Sequence, residues 1–151
     1  MGATTMWERW DSMLPDGTVN PGEMTSFNHY AFGAVVKFMV ERLAGLRCVE
    51  PGWTRARFEP EMEGPFTWAT AEHLTPYGTV SGSWALAASG NEGVFDVKID
   101  VVVPPTTDME VVVPSQVGGP EVKIVGSGKW SFTGTHKKSC QWPVPELPSM
   151  P

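Results

Sequence analysis

The chain has 151 residues, of which 41% are hydrophobic, and carries a formal net charge of −6. A chain of this length can bury one domain-sized core and leaves room for only a small second structural region. Nucleic-acid binding draws its affinity from clustered Lys and Arg, and no such cluster is visible, so a nucleic-acid partner is not expected.

The cysteines and histidines give no sign of a metal site. Cys48 and Cys140 form no CxxC pair and no zinc pattern with the three histidines, so neither a metal nor another cofactor is predicted. Two cysteines do not make a disulfide framework, which leaves their pairing and the cellular compartment open. No secretory leader opens this chain, and no run approaches the ~18 apolar residues of a membrane span, so no membrane partner is expected. If the chain is part of a longer protein, these absences say nothing about that protein.

Near the N-terminus, Trp7-Glu8-Arg9-Trp10-Asp11 places a carboxylate between two tryptophans. The apolar face of a sugar ring stacks on indole while its hydroxyl groups seek charged acceptors, so this stretch suits a sugar-binding cleft. It also suits the edge of an ordinary core, and most carboxylates simply solvate a surface. If the stretch is helical, Asp11 can face Glu8.

The next element is a predicted helix over Ser26–Leu46, with Thr25 or Ser26 as N-cap and Gly45 helping to end it. Apolar side chains point in almost every direction around this helix, so we expect it to be buried on nearly all sides. A sandwich face covers only one side. We therefore infer a larger parent whose other helices enclose this one; self-association, or deeper burial by its own sheet, are the alternatives.

His29 falls in the first turn of the predicted helix. A neutral imidazole can both donate a hydrogen bond to a sugar hydroxyl and accept one from it. The alternative is a packed histidine whose nitrogens are satisfied by backbone groups.

Beyond Gly52 the apolar pattern changes to alternation, interrupted by Gly and Pro. The predicted strands are Trp53–Glu59, Phe66–Leu74, Thr79–Ala87, Val94–Val103, Met109–Val113, Glu121–Val125 and Lys129–Thr133. Short strands at this spacing predict an antiparallel β-sandwich. Thr75–Gly78 reads as a hairpin turn, whereas Pro104–Thr107 must bend the chain or take it out of the sheet. The Pro-rich stretch from Lys137 is predicted to lack regular structure.

Several stretches together resemble the C-terminal end of bacterial and fungal α-L-rhamnosidases. They are TTMWERWDS, DGTVNPGEMTSFNHYAFGAV, AGL, EPGW, HLTPYGTVSGSW, VVVPPTT and VGSGKWSF, in that order, over about residues 3–133. The resemblance implies a mainly β chain: residues 1–50 form the last helical part of an (α/α)6 barrel, residues 51–136 a C-terminal β-sandwich, and residues 137–151 a Pro-rich tail. The barrel helices that would enclose the predicted helix then belong to the missing N-terminal portion.

The resemblance also implies an inverting glycosidase, in which one carboxyl group protonates the leaving oxygen and another activates water. In the family pattern Glu8 is the general base, while His29 and Trp7 contact the substrate, a rhamnose-containing glycoside or polysaccharide. The general acid comes from an earlier part of the barrel, so the chain alone is predicted to be inactive. The alternative function is a non-catalytic carbohydrate-binding or structural β-sandwich module. The other tryptophans assigned to core or interdomain packing are Trp10, Trp53, Trp68, Trp84 and Trp130.

Overall fold

The structure, a computed structural model, describes residues 2–22 and 24–139. The chain divides into two compact units, residues 1–39 and 40–151. Its helical elements are a 3₁₀ turn at Tyr30–Gly33, helix α1 at Ala34–Phe38, a π turn at Met39–Leu43 and a 3₁₀ turn at Pro51–Trp53.

The helical region is shorter than the predicted Ser26–Leu46, because both ends of the prediction have other partners. Thr25 and Ser26 do not cap it: the Thr25 hydroxyl accepts a hydrogen bond from Arg9, and the Ser26 carbonyl accepts one from the Glu8 amide. At the other end Gly45 has a φ of +89°, and a Cβ there would lie 2.4 Å from the Pro60 backbone nitrogen. Only glycine fits this bend.

Eight strands follow the helical region. They are β1 at Leu46–Cys48, β2 at Arg55–Phe58, β3 at Trp68–Thr75, β4 at Gly78–Ala88, β5 at Val94–Val103, β6 at Asp108–Val113, β7 at Glu121–Val125 and β8 at Gly128–Lys137. The predicted strands are all present, β5 and β7 with the predicted ends and the other five with shifted ends, and β1 is additional. The first predicted strand begins late, because Gly52 and Trp53 both have positive φ and turn the chain before β2. β1 lies before Pro51, where the sequence analysis placed the division between the two regions.

The strands form two four-stranded sheets, in the orders β1-β2-β6-β7 and β3-β4-β5-β8. All neighbouring pairs are antiparallel except β2 and β6, which are parallel. The predicted hairpin joins β3 to β4, with Thr75 paired to Gly78. After β5 the chain leaves its sheet at Pro104 and enters the other sheet as β6. The antiparallel sandwich is thus confirmed, with one parallel seam.

The core lies between the two sheets, and both supply it. In β5 alternate residues from Val97 to Val103 are buried, as the alternating pattern predicts. The buried cluster comprises Leu46, Ala56, Phe58, Met62, Val80, Trp84, Val97, Ile99, Val101, Val103, Met109, Val111, Val113 and Val125. Phe58 approaches β4 so closely that a Cβ at Gly82 would lie 2.1 Å from its ring. Side-chain packing therefore requires glycine at that position.

Trp84 is buried as expected, and its indole N–H donates to the Leu43 carbonyl over 3.0 Å. Trp10, Trp68 and Trp130 are exposed, so they do not pack in the core of this chain, and interdomain packing stays the prediction for them. Trp68 pairs with the exposed Ala85, whereas Trp130 pairs with the buried Val101 and still leaves 42% of its surface exposed.

An ion-pair network covers the outer face of the β1-β2-β6-β7 sheet. Arg47 and Arg57 lie directly opposite each other on β1 and β2, and Glu59 contacts both guanidinium groups, at 2.5 and 2.9 Å. Arg57 also contacts Glu110 at 2.8 Å. Like charges placed opposite each other are destabilising, and the shared carboxylate offsets this. Its hydrogen bonds from Arg57 hold the pKa of Glu59 below its usual value.

A second pair joins the two parallel strands. Arg55 Nε and Nη2 donate to the two carboxylate oxygens of Asp108, at 2.6 and 3.0 Å. These bonds lower the pKa of Asp108 and raise that of Arg55. The bidentate geometry fixes the register of β2 against β6.

Candidate functional site

Two stretches of the N-terminal unit run side by side and bring the predicted site residues together. The Glu8 amide donates to the Ser26 carbonyl over 2.8 Å, and the His29 amide donates to the Met6 carbonyl over 2.7 Å. The Thr5 hydroxyl also donates to the Phe27 carbonyl. This backbone pairing places the Glu8 side chain next to His29.

Glu8 and His29 face each other in a partly shielded setting. Glu8 Oε2 lies 3.8 Å from His29 Nδ1, and the two side chains are 21% and 35% exposed. Oε2 itself is buried and has no hydrogen-bond partner among the described residues. A shielded carboxylate oxygen without a partner is costly, and a water or hydroxyl group at this position would satisfy it.

Aromatic rings frame this pair. Trp7 packs edge-on against Phe27, with ring centroids 5.1 Å apart and planes at 87°. The His29 ring lies 4.7 Å from that of Phe32. These contacts restrict the Trp7 and His29 side chains to defined orientations, which is what a site for a rigid ring needs.

Arg9 fastens the stretch that carries Glu8, a role that the sequence analysis missed. Its Nη2 donates to the Thr25 hydroxyl over 2.6 Å, and its backbone amide donates to the Ser12 hydroxyl over 3.2 Å. The guanidinium lies against Gly22, where a Cβ would be 2.6 Å from Nη1. The signal available in the sequence was a glycine and a hydroxyl residue a few positions apart, which is too common to interpret without the fold.

Asp11 does not face Glu8, and the helical interpretation of this stretch is wrong. Residues 8–12 form bends and a turn rather than a helix. Asp11 Oδ2 instead accepts a hydrogen bond from the Asn20 amide group over 2.8 Å, and Oδ1 lies 3.8 Å from Arg9 Nε. Asp11 thus stabilises the loop through its bond to Asn20, and Glu8 is the carboxylate that faces His29.

An open cleft of about 570 Å³ surrounds Glu8. Trp7, Glu8, Trp10 and Phe32 line it, together with Gly2, Ala3, Thr5, Met6 and Arg9, whereas His29 is not one of the lining residues. Trp10 is fully exposed along this lining. The volume lies in the range of small-molecule sites, and the lining combines large apolar rings with one carboxylate.

The described residues hold no group of three or more His, Cys, Asp or Glu suited to a metal ion. No helix in the described ranges is both long and apolar enough to cross a bilayer. Cys48 is exposed, and its thiol contacts the Glu50 carbonyl. Cys140 and most of the Pro-rich tail lie outside the described residues.

Comparison with known protein families gives two matches that follow each other along the chain. Residues 1–43 match the bacterial alpha-L-rhamnosidase 6 hairpin glycosidase domain. Residues 45–128 match the bacterial alpha-L-rhamnosidase C-terminal domain.

Individual relatives agree. An alpha-L-rhamnosidase of Formosa agariphila is 41% identical over 114 residues, which cover 76% of this chain and 12% of the relative. The crystal structure of a native α-L-rhamnosidase from Aspergillus terreus superposes with a TM-score of 0.70 at 45% identity, over 87% of this chain and 14% of that one. The Streptomyces avermitilis alpha-L-rhamnosidase complexed with L-rhamnose gives a TM-score of 0.69 at 36% identity, over 87% and 14%. The chain thus spans only a small share of its relatives' length, and it belongs to the α-L-rhamnosidase family as a C-terminal portion.

Proposed function

We propose that this chain serves in the hydrolysis of terminal α-linked L-rhamnose, with residues 2–43 completing the catalytic cavity of a longer protein. Glu8 is the general base, and His29 and Trp7 contact the sugar. The observation that carries the proposal is the shielded Glu8 carboxylate, which lies beside His29 and borders a tryptophan-lined cleft. The L-rhamnose complex of the S. avermitilis relative supports the choice of sugar.

The exposed helical region supports a larger cavity. None of the residues in Tyr30–Met39, a stretch that the structure describes throughout, is buried, and Tyr30, Phe32, Val36 and Phe38 expose large apolar surfaces. Helices that are apolar on nearly every side belong inside larger domains. The missing N-terminal portion of an (α/α)6 barrel is the partner that we propose for this surface.

The chemistry assigns Glu8 one half of a two-sided displacement. As base it takes a proton from a water that attacks the anomeric carbon, while an acid on the opposite side of the sugar protonates the leaving oxygen. The neighbouring carboxylate, Asp11, is held by Asn20 and does not face Glu8. The family resemblance implies that the acid belongs to the missing portion, so the 151-residue chain by itself is expected to be inactive.

The first experiment asks whether the isolated chain turns over an aryl α-L-rhamnoside. We expect no release of chromophore above a blank, because a base without its acid cannot run the reaction. Robust turnover by the purified chain, lost in Glu8→Gln, would show that the missing portion is not needed.

The second experiment places the substitutions in a complete rhamnosidase that ends in this chain. Glu8→Gln should lower kcat by about 10²- to 10⁴-fold, the usual contribution of a general base. Asp11→Asn, a carboxylate change three positions away, is the matched control and should stay near the parental rate. His29→Gln and Trp7→Phe should raise KM more than they lower kcat. Near-normal activity of Glu8→Gln would remove Glu8 from the mechanism.

A further inference from the structure

Strand β3 is the outermost strand of its sheet and leaves one backbone edge open. It pairs with β4 on one side, and no strand in the described ranges pairs with its other side. The Leu86 amide donates to the Thr67 carbonyl over 2.8 Å, and the β3–β4 register, extended by one residue, places these two residues opposite each other. Bonded and non-bonded pairs alternate along an antiparallel ladder, so every second residue of β3 turns its N–H and C=O groups to the open edge. These residues are Trp68, Thr70, Glu72 and Leu74.

The side chains of the same four residues are exposed. Trp68 and Leu74, near the two ends of the strand, are 66% and 76% exposed. Of the eight residues of β3, only Thr75 is buried. The open edge thus presents a large apolar side chain near each end and two polar side chains between them.

The sequence of β3 lacks the features that protect the edges of other sheets. Lysine, proline and very short strands discourage pairing at an edge. Among the other outermost strands, β7 carries Lys123, β8 carries Lys129 and Lys137, and β1 has only three residues. β3 has eight residues, WATAEHLT, without lysine or proline. It is therefore the edge of this sandwich best suited to accept another strand.

We propose that β3 pairs with β3 of a second copy of this chain, antiparallel and about a two-fold axis at Ala71. This register places Trp68 opposite the partner's Leu74, and Thr70 opposite the partner's Glu72. An aromatic ring then meets an aliphatic side chain and a hydroxyl group meets a carboxylate, each twice by symmetry. The open backbone groups exchange about eight hydrogen bonds, two at each directly opposed pair.

Self-complementarity selects a second copy as the partner, because a two-fold interface requires a surface that matches itself. Moving the axis to Glu72 would place two carboxylates opposite each other, and the axis at Ala71 avoids this. For Trp68 the proposal replaces packing between domains with packing between copies. The interface uses neither Glu8 nor its cleft and is independent of the function proposed above. A single strand pair is smaller than a standard protein interface, so we expect dimers only at high protein concentration.

The test follows the 151-residue chain by sedimentation velocity from micromolar to millimolar concentration. We expect monomers at the low end and dimers at the high end. Hydrogen exchange, followed by NMR at the same concentrations, locates the contact. The Thr70 and Glu72 amides should exchange more slowly as dimers form, whereas the Ala71 amide, which points to β4, should change far less.

Two variants at the open edge test the pairing. Leu74→Lys adds a charge at an exposed position and should weaken dimerisation by about tenfold or more. Thr70→Pro removes an open amide while the backbone bonds to β4 remain, and it should have a similar effect. Ile124→Lys is the matched control, because it makes the same kind of change at an exposed residue of β7, and Val36→Lys does so on the exposed helical region. Both controls should leave dimerisation unchanged.

Two results would overturn the proposal. One is a chain that stays monomeric, with fast exchange of the Thr70 and Glu72 amides at every concentration, which would leave this edge to a different partner. The other is association that survives Leu74→Lys and Thr70→Pro but is lost in Ile124→Lys or Val36→Lys, which would assign it to β7 or to the helical region.

Discussion

Different interactions stabilise each of the two units of the chain. The sandwich, from Leu46 onward, buries one continuous apolar cluster supplied by both of its sheets. Of residues 2–22 and 24–39, only Ser12 is buried. Hydrogen bonds and ring contacts are the interactions that stabilise this unit. Apolar burial is the main source of folding free energy. The sandwich has a core of its own, and we expect the N-terminal unit to depend on burial supplied by the rest of a longer protein.

Hydrogen exchange on the isolated chain tests this contrast most directly. After correction for intrinsic rates, backbone amides in β5 should exchange at least about a thousandfold more slowly than those of Tyr30–Phe38, because the first report global unfolding and the second local opening. The measurement is exchange followed by mass spectrometry or NMR. Equal protection in both segments would mean that the helical region is stable without a partner.

Removing the ring of Phe58 should break the sandwich and leave the N-terminal unit as it is. Phe58 is fully buried against β4, so Phe58→Ala should lower the free energy of unfolding by about 3–5 kcal/mol. Urea denaturation checks this, with Phe38→Ala on the exposed helix as matched control. A loss of similar size in Phe38→Ala would contradict the contrast.

Acid should weaken the sandwich through its ion-pair network. The pKa of Glu59 is lower in the folded state than in the unfolded chain. Its contribution to the free energy of unfolding is therefore fully present above its unfolded-state pKa and is lost as the pH falls through its folded-state pKa. Glu59→Gln should therefore cost up to about 1 kcal/mol at neutral pH and progressively less as the pH falls below the ordinary range of a glutamate, and 1 M salt should reduce the cost. Urea titrations at several pH values provide the measurement.

The control for this prediction is Glu121→Gln. Glu121 pairs with Lys123 within the edge strand β7, and its side chain is well exposed, so this substitution should have little effect at any pH. A cost for Glu59→Gln that does not decrease as the pH is lowered would show that the carboxylate acts through packing instead of charge.

Ser12 offers the smallest and most local test. Its hydroxyl accepts the Arg9 amide, so Ser12→Ala should cost about 1 kcal/mol and should speed exchange of the Arg9 and Glu8 amides while leaving β5 unchanged. Exchange of the individual amides measures the effect. Faster exchange in β5 would couple the loop to the sandwich core.

The sequence predicted the sandwich better than it predicted the N-terminal unit. The alternation in Val94–Val103 and Glu121–Val125 predicted β5 and β7 with both ends correct. In β5 it reflects one face in the core, whereas in β7 only Val125 is buried and the apolar Val122 and Ile124 are exposed. The three-residue strand β1 is too short for any periodic signal. The helix start was misplaced because Ser26 pairs across the unit with Glu8, a non-local bond that no capping rule contains.

For the candidate site, the residue types were predictable and their arrangement was not. The resemblance pointed to Glu8, His29 and Trp7, and their roles stay predictions. That Glu8 meets His29 at 3.8 Å follows from the pairing of two separate stretches, which the sequence does not encode locally. Trp68 was assigned to packing because a tryptophan in an alternating strand is usually internal, whereas its register places it outward.

The parallel seam between β2 and β6 has a consequence for how the sandwich assembles. Arg55 and Asp108 meet across 53 positions of chain, and the hairpins of the other sheet lie within that interval. Local hairpins close quickly, while distant parallel pairing must wait for a large loop to close. We therefore expect β3, β4 and β5 to form early and the seam to form late, so that a nascent chain halted before Asp108 would hold β2 paired with β1 on one side and with its β6 side open.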